Sequence, residues 1–255
     1  MSVVQPGGVA LVRARHHRED VAAGSGPPGV PLARRSGGPL RCGGTLVMTV
    51  NDDPAGVERQ LGAGGLCCPG CQGRLTGWGW ARRRLIRGEA GRRWLVRPRR
   101  TRCSGCAATH VLLPVGVLVR RADEIGVVGR ALAATASGLG ARPVAAVVDR
   151  PLGTVRGWLR RFAGKAEQVR AWFTGLLVAV AADPVVPGPA ATVFADAVAA
   201  IEAAARAVAD RFALRMVTAW QVAGAVSGGR LLSPDWPPDR PLEWINTSSP
   251  WSAAV

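Results

Sequence analysis

Two Cys-x-x-Cys pairs, Cys68-Pro69-Gly70-Cys71 and Cys103-Ser104-Gly105-Cys106, constrain the fold of this chain more than anything else in it. A soft divalent metal such as Zn2+ takes four thiolates at the corners of a tetrahedron, and two tight turns that each present two sulfurs supply them. One pair alone says little; two pairs, the first running on into Gln72-Gly73, say much more. About thirty residues separate the pairs. That is room for two strands and a turn, the build of a zinc ribbon. Cys67 adjoins Cys68 and either could ligate; the x-x spacing favours Cys68. His110 follows the second pair closely enough to stand as a substitute ligand, but four cysteines suffice.

The segment between the pairs reads as β-structure. Leu75 to Trp80, Leu85 to Arg87 and Arg92 to Arg97 carry apolar and aromatic residues, with a turn at Gly88-Glu89-Ala90-Gly91 and a break at Pro98. Their small apolar surface cannot hold two strands together unaided, so a structural zinc is expected to be required for folding. Between Arg82 and Arg102 lie ten arginines against one acid, Glu89, interleaved with Trp94 and preceded by Trp78 and Trp80. So one-sided a run repels itself unless a polyanion covers it. Arg82, Arg83, Arg84, Arg92, Arg93, Arg97, Arg99 and Arg100 are therefore candidate phosphate contacts, since guanidinium grips phosphate in bidentate fashion. The tryptophans could stack on bases, but cover for the sheet is their simpler use.

The whole chain agrees in sign. It carries a net charge of +16, and all but Lys165 of its 33 basic residues are arginine. GC-rich coding explains arginine in place of lysine but not the excess of bases over acids. Nucleic acid is the first partner such a surface suggests. The N-terminus lacks the basic-then-apolar pattern of a signal peptide, and the longest apolar run, around Trp172 to Ala182, is too short to span a bilayer. A cytoplasmic, nucleoid-associated protein with no membrane partner is expected. In a reducing compartment paired cysteines bind metal more often than they form disulfides.

In chain order, residues 1–47, rich in Gly, Pro and Arg, read as a disordered basic tail, with Met48 a candidate alternative start. His16 and His17 lie there as solvated residues and Cys42 as a free thiol. One short helix is expected between Asp52 and Leu66, then the ribbon over 60–115. Residues 120–182 read as helical. Ile125, Val128, Leu132 and Ala136 keep helical spacing. Pro143 suits the first turn of a short helix bearing Val144, Val147 and Val148, and Arg150-Pro151-Leu152-Gly153 breaks it. A second helix follows with Thr154 as N-cap and Val155, Trp158, Leu159 and Phe162 as its apolar stripe. Thr154, Arg156, Gly157, Arg160 and Arg161 fall on the other side. Short helix, tight turn, helix with a basic front is the layout of a helix-turn-helix, whose second helix enters the major groove. Thr154, Arg156, Arg160 and Arg161 are the candidate DNA contacts there. After a Pro-rich linker, 190–232 reads as alanine-rich helices that either complete an intramolecular bundle or face a homodimer partner, and 233–255 as a poorly ordered Pro/Trp tail.

No catalytic set emerges. The carboxylates beyond residue 180 are scattered over linker, helices and tail, with no strands to gather a metal-binding triad. No phosphate loop or Ser/His/Asp set is present. No enzyme and no small-molecule substrate are expected. A thiol-redox role would prefer one Cys-x-x-Cys at a helix N-terminus.

Cys68-Pro-Gly-Cys71, Gly77-Trp78-Gly79-Trp80, Cys103-Ser-Gly-Cys106, Thr109-His110-Val-Leu-Leu-Pro114 and Thr154-Val-Arg-Gly-Trp158-Leu-Arg-Arg-Phe162 together resemble a family of uncharacterised bacterial proteins. That family pairs a zinc ribbon with a helix-turn-helix and is similar to the N-terminal DNA-binding part of insertion-sequence transposases. The resemblance covers about residues 60–232 and implies double-stranded DNA binding, in transposition or transcriptional regulation. The catalytic domain of such transposases has no counterpart in this sequence. The expected fold is thus a small β zinc ribbon followed by a mainly α domain of helix-turn-helix plus helical bundle. An RNA-binding or RNA-polymerase-associated ribbon protein is the alternative, and a nuclease remnant a third.

Overall fold

The computed structural model describes residues 46–237. The expected N-terminal tail with His16, His17 and Cys42 lies outside the described residues, as do residues 238–255. Among the described residues a small mixed sheet region with one helix in it precedes an all-helical region.

Strand β1 (Leu46–Val50) opens the fold and takes in two residues of the stretch assigned to a tail. Helix α1 (Pro54–Ala63) follows. Asp53 caps it by accepting from the N–H groups of Ala55 and Gly56, and Gly64, at φ 74°, closes it in the left-handed region where a Cβ would be strained. The segment between the cysteine pairs holds four strands in nested hairpins: β2 (Leu75–Trp80), β3 (Arg84–Arg87), β4 (Arg93–Val96) and β5 (Arg99–Cys103). The expectation of two strands there is corrected to four. Ala81 to Arg83 interrupt one arm and Arg97-Pro98 the other, which lets the inner hairpin peel into its own sheet. Strand β6 (Thr109–Pro114) then joins the larger sheet, whose order is β1-β6-β5-β2, with β1 parallel to β6 and the other pairs antiparallel.

Two small cores hold this part. Met48 and Val50 of β1, Val57 and Leu61 of α1, Leu75, Leu112 and the buried cysteines Cys68 and Cys103 form one. Ile86, Val96, Leu113 and Val117 form the other, between the inner hairpin and the sheet. Burial of side chains of this size contributes about 1.5–3 kcal/mol each, so α1 and β1 supply part of the apolar support the hairpins lack.

Six helices follow: α2 (Ile125–Ala136), α3 (Ala141–Val147), α4 (Leu152–Ala163), α5 (Ala166–Val180), α6 (Val193–Arg211) and α7 (Ala219–Val226). Ile125, Val128 and Leu132 of α2 and Val155, Trp158 and Phe162 of α4 are buried in one core with α5, α6 and α7. Helix α4 begins three residues earlier than its apolar stripe suggests. Pro151 is its N-cap, so Thr154 lies inside the first turn and makes no cap, and Gly157 is buried rather than outward. Proline fits the entry because its φ of −54° is already helical and it has no N–H to satisfy. Phe194 at the start of α6 meets Phe162 of α4 edge-on with centroids 4.8 Å apart, while the last turns of α5 and α6 line one cleft. The two helices therefore run in the same sense, and the linker returns the chain along them. Part of the expected tail is folded: Trp236 is buried, 5.4 Å from Trp172 and 6.0 Å from Phe173 between ring centroids. No helix among the described residues is long and apolar enough to cross a membrane.

Candidate metal centre and basic surface

The two cysteine turns have the same backbone. In the first, the Cys68 N–H donates to the Gly73 carbonyl at 2.8 Å and the Gln72 N–H to the Cys68 carbonyl at 2.8 Å. In the second, the Cys103 N–H donates to the Ala108 carbonyl at 2.9 Å and the Ala107 N–H to that of Cys103 at 3.1 Å. Gln72 and Ala107, each one residue past the second cysteine, both turn through positive φ, 60° and 61°. The repeat aims both sulfurs of each pair at a common point. Gly73 lets the turns close on each other: a Cβ there would stand 2.8 Å from Cys103 Sγ and 3.0 Å from the Gly105 nitrogen.

The sulfurs of Cys68, Cys71, Cys103 and Cys106 all lie within 4.8 Å of one another. Cys68 is 3.7 Å from Cys106 and Cys71 3.4 Å from Cys103. With metal–sulfur bonds of about 2.3 Å a tetrahedron has sulfur–sulfur edges of roughly 3.8 Å, so the donor set fits a tetrathiolate metal ion. Cys67 and His110 do not join the cluster. His110 is instead fully buried on β6 opposite Thr101 of β5, and neither its ring nitrogens nor the Thr101 hydroxyl has a hydrogen-bond partner among the described residues. Burial pulls its pKa below the ordinary histidine value, which keeps the ring neutral.

The thiols differ. Burial pushes Cys68 up to about 12, against the pull of the Gly70 and Cys71 N–H groups. At Cys103 burial acts in the same sense but is overcome by the N–H groups of Cys106 and Gly105, which bring it down to about 7. The Gly105 N–H donates to Cys103 Sγ at 3.3 Å. Backbone donors aimed at sulfur favour the thiolate, the form that binds metal.

The arginines divide into groups that the sequence does not distinguish. Arg92 donates to both oxygens of Glu124 at 2.7 and 2.8 Å, and Arg84 to the Leu118 carbonyl at 3.4 Å. Arg99 pairs with Glu58 at 2.8 Å, donates to the Gly79 carbonyl and lies over the Trp80 ring. Arg161 turns back to the Gly157 carbonyl. Arg97 is exposed and lies 5.5 Å from the Trp80 centroid, and Arg100 is half-buried. Arg82, Arg83, Arg93, Arg156 and Arg160 are exposed with no side-chain partner among the described residues, and Thr154 is half-buried. Trp78 and Trp80 are 56% and 44% exposed, so they do not cover the sheet; a bulge between Gly77 and Gly79 gives Trp78 to Arg102 and Trp80 to Arg99.

One functional-looking residue carries almost no signal in the sequence. Asp123, buried at the start of α2, accepts from Arg87 of β3 at 2.8 Å and from Arg150, in the turn between α3 and α4, at 2.7 Å. Arg150 also donates to the Gly88 carbonyl at 2.6 Å. A single carboxylate thus ties the arginine hairpin to the α3–α4 turn. In the sequence it is half of an Asp-Glu pair in a basic neighbourhood, which also reads as a helix start.

A family model described as a domain of unknown function (DUF6431) matches residues 68–139. The match runs from the first cysteine of the cluster through α2. No curated protein and no solved structure matches the chain.

Proposed function

We propose that this is a zinc-dependent double-stranded DNA-binding protein, built as a transposase-like recognition module and acting in transposition or transcriptional regulation. The observation that carries the reading is the segregation of charge. Glu58, Glu89, Asp123 and Glu124 around the hairpins are held in ion pairs, while Arg82, Arg83, Arg93, Arg156 and Arg160 stay exposed and unpaired among the described residues. Unneutralised guanidinium groups on the hairpin segment and on α4 suit a polyanion.

Zinc fits the four sulfurs by softness and by edge length, and its role would be structural: four thiolates leave no open position for chemistry. The ion would clamp the two turns and so set β2 and β5 beside each other. Helix α3, the turn through Pro151 and α4 form the helix-turn-helix of the proposal, with Arg156 and Arg160 reading base edges and the hairpin arginines holding phosphate. The fastening of that turn to the hairpin through Asp123 favours one combined footprint over two independent ones.

The test is selection of bound sites from random duplex DNA, with zinc measured on the same preparation. A motif should emerge from protein holding one zinc per chain. Arg156→Ala should broaden the motif, whereas Arg93→Ala should weaken all sequences alike. An unselected pool, or equal loss on specific and random DNA in both variants, would remove the division of labour. Preference for structured RNA or for RNA polymerase over duplex DNA would move the protein to the alternative class.

A further inference from the structure

The last turns of α5 and α6 form an end of the helical region where acids and bases balance. Asp183 and Asp210 line this end against Arg206 and Arg211, an even balance in a chain whose net charge is +16. Here the protein is not basic, and two copies could approach without the repulsion that their other surfaces impose.

The same end is apolar and open. A cleft of about 510 Å³ lies between the ends of α5 and α6, with Leu177, Val180, Ala203 and Ala207 on its walls. Around it the chain exposes Val178, Val185 and Val186, and just past α6 it exposes Phe212 and Met216, at 60% and 98%. Exposed single apolar residues are ordinary, but this many beside one cleft mark an interaction site. The charged residues lining the cleft are of both signs. Asp183, Asp210, Arg206 and Arg211 are exposed, and none has an ion-pair partner among the described residues.

We infer that the α5–α6 end is the interface of a two-fold homodimer. A two-fold contact sets one patch against itself, so each charge must find its opposite within the same patch. Two unpaired aspartates and two unpaired arginines around an apolar cleft satisfy that condition. A nucleic-acid partner would set its phosphates against the two aspartates. A partner of single charge would leave half the rim unpaired. The cleft gives Phe212 a recess to enter, the usual arrangement of an aromatic anchor at the centre of an interface. The inference stands apart from the DNA-binding proposal, because it uses none of the same residues.

Sedimentation of the purified full chain over a hundred-fold range of concentration tests it. The expected result is a closed monomer–dimer equilibrium whose dissociation constant rises about thirty-fold or more in Phe212→Asp, the effect of removing a central anchor. Val185→Asp should act in the same direction. Both residues are exposed, so far-UV circular dichroism and melting of the monomer should be unchanged. A chain that stays monomeric throughout would overturn the inference. So would a dimer indifferent to both substitutions, or association that grows into open polymers.

Discussion

Replacing Asp123 with asparagine should cost far more than its single negative charge suggests. Its carboxylate is 4% exposed, and the Arg150 side chain it holds is 7% exposed, so neither can turn to water. Asparagine keeps the volume and one acceptor but leaves a buried guanidinium without its counter-charge. Breaking a buried pair from one side costs about 3–5 kcal/mol. Arg150 retains the carbonyls of Gly88 and Asp149, which places the loss near the lower figure. A domain of this size loses roughly 2–4 °C of Tm per kcal/mol, so Asp123→Asn should melt about 6–12 °C lower. Arg87 makes the other half of the pair but is 38% exposed, and its truncation to alanine should cost no more than about 1 kcal/mol, as exposed pairs do. Removing both buried charges together, Asp123→Leu with Arg150→Met, should cost much less than the two single changes added, because the only charge left without its partner is Arg87, which reaches solvent. Urea unfolding followed by circular dichroism measures all of these variants. If Asp123→Asn lies within about 0.5 kcal/mol of the parent, or matches Arg87→Ala, the carboxylate is not the fastener described.

Chelation of the metal should unfold the β2–β6 region first, since binding to such tetrathiolate sites contributes an apparent 10–16 kcal/mol or so; retained strand signal after a strong chelator has stripped the protein would count against a structural zinc. Each thiol releases its proton to solvent on binding the metal, so zinc affinity should fall as pH falls, a trend that competition with a chromogenic chelator would follow. Burial, opposed by Asp235 and aided by Arg121, holds Lys165 at about 8, below its unfolded value, while its amine donates to the carbonyls of Ser233 and Trp236. Between about pH 8 and the ordinary lysine range the unfolded chain keeps a proton the folded chain has released, so stability should rise with pH across that window, and Lys165→Met should flatten the rise. Gly129 of α2 packs against the Trp220 ring so closely that a Cβ would collide with it, and Gly129→Ala should cost about 1–3 kcal/mol in denaturant melts, or else the α2–α7 packing is looser than it stands.

The cysteine cluster was legible because its information is local: a Cys-x-x-Cys turn dictates its own geometry, and two of them need only be brought together. Helices α2, α4, α5 and α6 were legible through apolar spacing, which reports the face that will be buried. Strand β1 was not. Its five residues adjoin a Gly/Pro-rich stretch, and its parallel partner Thr109–Pro114 lies some sixty residues on, so nothing nearby announces it. The start of α4 was misplaced because Pro151-Leu152 looks like a break until Val155 and the N-terminal turn are seen packed together. Trp236 was assigned to a loose tail because its partners, Trp172 and Phe173, belong to a helix far earlier in the chain. The same limit governs the arginines. Whether a guanidinium meets a phosphate or a carboxylate is decided by what folding places beside it, and Glu58, Asp123 and Glu124 come from different places in the sequence.

The partition of the arginines can be measured. Of the eight arginines between the cysteine pairs that are candidate phosphate contacts, Arg84, Arg92 and Arg99 are held by the protein itself, which leaves five. Each phosphate neutralised on duplex DNA adds about 0.9 to the fall of log affinity with log salt, so about eight contacts would give a slope near −7 and about five a slope near −4.5. Fluorescence anisotropy on a labelled duplex across a salt series separates the two. The shallower slope is expected. Arg93→Ala should reduce it by about one unit, and Arg92→Ala should leave it unchanged while lowering stability by less than about 1 kcal/mol, the worth of an exposed pair. A steep slope that Arg92→Ala makes shallower would mean that Glu124 gives up its arginine to the DNA. The ion pair would then be a latch opened by binding, and the hairpin would not be the preset platform that the fold describes.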